Sequence, residues 1–232
     1  MIKYEMFVLS NGLKVLVHQD KSTPMAVVNV LYDVGARDEE PTHTGFAHLF
    51  EHLMFGGSVN IPVYCQLPAE NLETAFWLES DRMLSLAFSE KSLDVQRKVV
   101  SEEFKEHYIN KPYGDAWKIM RELAYKQHPY RWMTIGLELS HIEKAQLDDV
   151  KRFFFKHYTP VNAILVVAGN VYLDQVRQLA EKWFGGIAPG EKYNRNLPVE
   201  PPQQEARRQV VKAKVPLDAL YKTWHMSARM DQ

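Results

Sequence analysis

The sequence predicts an α+β fold, one sheet covered by helices. Three observations predict it. Short β-branched runs occur near the start and again at 162–170, four segments between them carry helical periodicity, and Gly, Pro and Asn signals separate the segments.

Taken in order, Phe7-Val8-Leu9, Ser10-Asn11-Gly12 and Leu13 to Val17 read as a hairpin around an Asn-Gly turn. Met25 to Val34 is mostly apolar and β-branched, which suits a central strand. A polar loop from Gly35 to His43 leads into a helix, with Thr44 as its expected N-cap. Ala69 to Leu86, Ser92 to Tyr108, Tyr113 to Lys126 and Leu147 to Tyr158 have helical spacing; the last stops before Pro160. Asn162 to Asn170 reads as a buried strand, and Leu173 to Phe184 as an amphipathic helix stopped by Gly185-Gly186. Residues 1–188 thus form an expected first domain and 189–205 a Pro-rich linker. Within 206–232, Arg207 to Lys214 and Leu217 to Met226 read as two more strands. They either extend the first sheet or open a truncated second domain, because two strands alone are not stable.

A formal net charge of −1 makes no case for nucleic acid or an anionic membrane as the main partner. Cys65 is the only cysteine, so neither an intrachain disulfide nor a cysteine-based zinc cluster can form. Met1 to Met6 has no apolar signal-peptide stretch and no segment approaches transmembrane length, so a reducing cytoplasm is the expected compartment.

The chemistry concentrates in His48-Leu49-Phe50-Glu51-His52, whose polar residues stand in apolar surroundings from Gly45 to Phe55. At about 100° per residue, His48 at zero puts His52 at about 40° and Glu51 at about 300°. One helical stripe then carries two imidazoles and a carboxylate. Burying such groups without partners costs several kcal/mol, and a divalent metal would satisfy them. His48 and His52 at i and i+4 can reach one ion while Glu51 lies beside it. This is the inverted form of the His-Glu-x-x-His zinc helix, although a five-residue pattern also recurs by chance.

A catalytic zinc usually takes three protein ligands and leaves one position open. In Ser92 to Tyr108, with Leu93 at zero, Val100, Phe104 and Tyr108 fall within about 60° of it and define the buried face. Glu103 falls at about 280° and Glu102 at about 180°, so Glu103 can turn inward while Glu102 points to solvent. The alternative is that Glu103 merely flanks the core and forms a surface salt bridge.

With these residues in hand, the chain resembles the M16 (pitrilysin-like) zinc peptidases, which include insulin-degrading enzyme and mitochondrial processing peptidase. The resemblance rests on Gly35, the run from Gly45 to Gly57, and Gln96 to Phe104, where the family's third-ligand position falls on Glu103. Asn11-Gly12-Leu13, Tyr158-Thr159-Pro160 with Asn162, and Gly169-Asn170 also match, so the likeness runs over roughly residues 5 to 230. It implies an M16 metallopeptidase-like half-unit, a mainly antiparallel sheet covered by helices, which the family carries twice in tandem. It also implies Zn²⁺ held by His48, His52 and Glu103, with Glu51 as catalytic base in a zinc-dependent endopeptidase. The expected partners are a peptide or unfolded-protein substrate and a second M16-type half or a second copy of the chain. A non-catalytic binding or assembly subunit is the alternative.

Two departures stand out. The 57–66 junction is short, where the family carries a helix and the edge strand on which substrate binds by strand addition. The C-terminal half, which supplies an Arg and a Tyr to the family's active site, is not in this sequence. Gln96 also replaces a supporting Glu that many members have. His18, His43, His107, His128, His141, His157 and His225 have no metal-type spacing and read as structural or exposed, with His107 the nearest to a supporting position. Trp77, Trp117, Trp132 and Trp183 read as packing residues.

Overall fold

The computed structural model describes residues 2–55, 69–86 and 89–227. The 57–66 junction lies outside them. The chain divides into two interleaved units, one of residues 1–34, 50–93 and 146–194, the other of residues 35–49, 94–145 and 195–232.

The first unit is built on a mixed sheet of β1 (Glu5–Val8), β2 (Lys14–Gln19), β3 (Ala26–Tyr32) and β4 (Ala163–Gly169), in the order β1-β2-β4-β3. β1 pairs antiparallel with β2 (Phe7 opposite Val15) and β3 antiparallel with β4 (Val30 opposite Leu165), while β2 and β4 run parallel. Two of the three pairings are therefore antiparallel, as expected. Val15, Val17, Leu165 and Val167 alternate onto one face and are essentially inaccessible. Two helices, α2 (Leu72–Leu84) and α7 (Leu173–Phe184), contribute Phe76, Val176, Ala180 and Phe184 to the same core. Asn11 donates from Nδ2 to the carbonyls of Phe184 and Ile187 at 2.8 and 3.0 Å, which ties the hairpin to the end of α7. Gly12 supplies the left-handed conformation the hairpin needs, with φ +86°.

β3 is an edge strand among the described residues, not the central one its composition predicted. The reason is topological. β4 arrives from more than 130 residues away and inserts between β2 and β3. The side chains of β3 alternate between two faces, so Val27 and Leu31 are exposed while Val28 and Val30 pack on the core. An apolar run signals burial on both faces, but here one face remains open.

The second unit includes α4 (Ala116–Ala124) and α5 (Leu139–Glu143). α5 was not foreseen, because five residues are too few for a periodic signal. The third predicted helix is shorter than its periodicity suggested, since Tyr113 takes a positive φ of 60° ahead of it. The strands expected at 207–214 and 217–226 are absent, and no described residue beyond 195 lies in a strand. That segment is held through side chains instead. Glu200 accepts the N–H groups of Lys126, Gln127 and His128 at 2.7–2.9 Å, Arg207 donates to the carbonyls of Leu123 and Ala124, and the Tyr113 hydroxyl donates to Leu217 O at 2.6 Å.

Candidate metal centre

α1 (Phe46–Phe55) carries the His48-to-His52 motif. Gly45, not Thr44, stands at its cap, accepting from Leu49 N at 2.9 Å. Gly45 has φ +88°, and a Cβ there would come within 2.4 Å of the Ile135 carbonyl oxygen, so the glycine is sterically required. Thr44 is drawn away from capping. Its Oγ1 accepts from Leu137 N at 2.8 Å and lies 2.8 Å from His141 Nδ1. The cap is supplied from farther back, by Glu39. Its carboxylate oxygens accept from Gly45 N and Ala47 N, each at 2.8 Å, with the Phe46 N–H as a further donor. Burial pushes the Glu39 carboxyl up to about 8, against the pull of those backbone N–H groups.

Helical spacing places His48 and His52 one turn apart on α1. Both are half-buried, whereas Glu51 is exposed. That corrects the expectation that all three polar groups are buried: the deeply packed side chains around the motif are the apolar ones, Phe46, Leu49, Phe50 and Leu53. Phe50 turns into an aromatic cluster, stacking on Phe153 of α6 (Leu147–His157) at 5.3 Å and on Tyr158 at 5.1 Å.

The second long helix of the site is α3 (Glu90–Phe104), which passes into a wider π-turn at Lys105–Ile109. Leu93, Val100 and Phe104 are buried as the periodicity requires. Glu102 is exposed and pairs with Lys105 at 2.8 Å, the very surface salt bridge considered for Glu103. Glu103 turns the other way and brings Oε1 to 3.6 Å from His48 Nε2. Tyr108 follows one turn on, its hydroxyl raised by burial and then by the Glu103 charge. His107 is exposed.

His48 and Glu103 bring ligand atoms together within the second unit, and His52 follows His48 one turn on along the same helix, so the three can serve one ion. Two ligands of one tetrahedral zinc, each about 2.1 Å from it, stand about 3.4 Å apart. The His48–Glu103 separation is close to that, and longer than a good N–H···O hydrogen bond. The donor set of two imidazoles and one carboxylate also suits zinc, so residues and spacing fit the ion. Sequence reasoning missed Glu39 and the pair Asp38–Arg195, in which Arg195 Nε donates to Asp38 Oδ1 at 2.6 Å. The acidic run Asp38-Glu39-Glu40 just ahead of the helix was the available signal.

Two family models match this chain. Insulinase (Peptidase family M16) matches residues 14–63, and Peptidase M16 inactive domain matches residues 144–232. Zinc protease PqqE of Helicobacter pylori is 31% identical, over 90% of this chain and 53% of its own length. Mitochondrial-processing peptidase subunit beta of Saccharomyces cerevisiae is 24% identical, over 79% of this chain and 45% of its own. Among solved structures, a protease from Helicobacter pylori matches with a TM-score of 0.76 and 29% identity, covering 86% of this chain and 54% of that one. The first half of the periplasmic protease PqqL from Escherichia coli matches in fold with a TM-score of 0.74 at 19% identity, over 84% of this chain and 49% of that one.

The fold is that of an M16 half-unit, and the chain belongs to the M16 metallopeptidase family. It spans about half the length of the curated relatives it matches. No helix among the described residues is long and apolar enough to cross a membrane.

Proposed function

We propose that this chain is the metal-bearing half of a zinc-dependent endopeptidase. The observation that carries this is the approach of Glu103 to His48, at a spacing suited to two ligands of one ion. The relatives named zinc proteases support the choice of metal. His48, His52 and Glu103 hold Zn²⁺, which when bound supplies Lewis acidity to a water and to the scissile carbonyl. Glu51 stands exposed on α1 between the two histidines, open to solvent and substrate. Its carboxylate takes a proton from the attacking water and then delivers it to the leaving amine nitrogen, so one group serves as base and then acid. The substrate is a peptide or unfolded protein segment, and the chamber is completed by a second M16-type half, on the same polypeptide or as a partner chain.

The reading is tested by elemental analysis of protein purified without chelator. About one zinc per chain is expected, with loss of the metal in His48→Ala and in His52→Ala; stoichiometric zinc in both variants overturns the assignment.

A non-catalytic assembly subunit is the second reading, favoured by the match of residues 144–232 to the inactive-domain model. Reconstitution with a second half separates the two. Chelator-sensitive cleavage supports the first reading, and zinc binding with no cleavage in the reconstituted pair supports the second.

A further inference from the structure

We propose that Glu39 is the positioning residue of the metal helix, and that Arg195 locks it in place through Asp38. The proposal rests on the metal reading above.

α1 begins only two residues before His48, so the direction of its first turn sets where the imidazole points. The first turn of a helix has N–H groups with no partner inside the helix. Here Glu39 meets them with both oxygens of its carboxyl group, at 2.8 Å to Gly45 N and 2.8 Å to Ala47 N. A two-point clamp fixes rotation about the helix axis as well as the entry of the chain, which a single-oxygen cap from Thr44 could not do. Glu39 is 6% exposed, so water does not replace it readily.

The clamp is anchored in turn. Asp38 is buried and accepts from Gly35 N at 3.0 Å. Arg195 holds it from the far end of the sequence, through Nε to Oδ1 at 2.6 Å and Nη2 to Oδ2 at 3.3 Å. Two adjacent acidic residues therefore do two different things. Asp38 faces the arginine, and Glu39 faces the helix. The same segment that contributes Arg195 also grips the turn after α3, where the Tyr113 hydroxyl donates to Leu217 O and accepts from Leu217 N. The segment from 195 to 217 thus steadies the elements that present His48 and Glu103, without supplying a ligand.

The test uses the 232-residue chain with Zn²⁺ alone and Co²⁺ alone as probes. Wild type, Glu39→Ala, Glu39→Gln, Arg195→Met and a fold-weakened control, Val176→Ala in the core of the first unit, are compared for zinc affinity, cobalt absorption spectrum and thermal stability. Glu39→Ala is expected to weaken zinc by about tenfold or more, the range seen when groups supporting metal ligands are removed, and to alter the cobalt spectrum. Glu39→Gln, which keeps one acceptor oxygen, recovers part of the loss. Arg195→Met gives a smaller loss in the same direction, and reports on the device even where Glu39→Ala fails to fold. Val176→Ala lowers stability but leaves affinity and spectrum as in wild type. Zinc affinity in Glu39→Ala and Arg195→Met equal to that of Val176→Ala overturns the positioning role and leaves the metal reading standing. Absence of zinc binding in wild type overturns the metal reading, and this proposal with it.

Discussion

His48 and Glu103 reach each other from different helices, Nε2 to Oε1 at 3.6 Å, while the neighbouring Glu102 pairs with Lys105 at the surface. Two adjacent glutamates on α3 thus have separate fates, set by a difference of one residue in helical phase.

That separation gives the first prediction. Glu103→Gln should weaken zinc binding by at least about tenfold, since a neutral amide is a poorer ligand than a carboxylate. Glu102→Gln should change it little. Isothermal titration with zinc checks both, and equal losses at the two positions would show the register to be wrong.

Glu51 is predicted to separate binding from chemistry. Glu51→Gln should retain wild-type zinc, because Glu51 is not among the three grouped ligands. In an assembled, active enzyme it should lower kcat by at least about a hundredfold, the scale of a lost general base. Loss of zinc from this variant would make Glu51 a ligand instead.

Stability should respond to pH through Glu39. Its carboxyl is raised from 4.5 to about 8 by burial, with the Asp38 charge acting in the same direction and the N–H groups of Ala47, Gly45 and Phe46 opposing. Between those values the folded state holds a proton that the unfolded state has released. The neutral form's advantage is complete below about pH 4.5 and is lost as pH rises through about 8, worth at most about 5 kcal/mol. Urea titrations of metal-free protein should show wild-type stability declining across this window relative to Glu39→Gln. A flat difference from pH 5 to 8 contradicts it.

Gly45→Ala should destabilise the fold by at least about 2 kcal/mol, because a side chain at positive φ is strained and its Cβ would meet the Ile135 carbonyl. Gly35→Ala, with open space around its Cβ, should be much milder. The comparison is a pair of urea midpoints, and similar losses at both sites would refute the steric argument.

The 232 residues alone should bind zinc yet cleave unstructured peptides poorly, since catalysis needs the peptide held within about 3 Å of the activated water. Supplying a family-like insert at the 57–66 junction together with a C-terminal half should restore cleavage. Efficient chelator-sensitive cleavage by the isolated chain would show that two helices suffice.

The sequence by itself determined the local elements and the chemistry they carry. Asn11-Gly12 makes its turn, Leu173 to Phe184 forms α7, and Leu93, Val100 and Phe104 face inward, because these follow from short-range sterics and helical phase. The helical phase of His48, His52 and Glu103 was legible for the same reason. Tertiary structure decided what depends on partners distant in sequence. β4 displaced β3 to the sheet edge, and 207–226 forms no strand among the described residues, being held through side-chain contacts such as those of Arg207. Thr44 was claimed by Leu137 and His141, so the cap of α1 fell to Glu39, and Asp38 found Arg195 at the other end of the chain. A hydrogen bond or a strand pairing is settled by which groups compete for it in space, and periodicity along the chain carries no record of that competition.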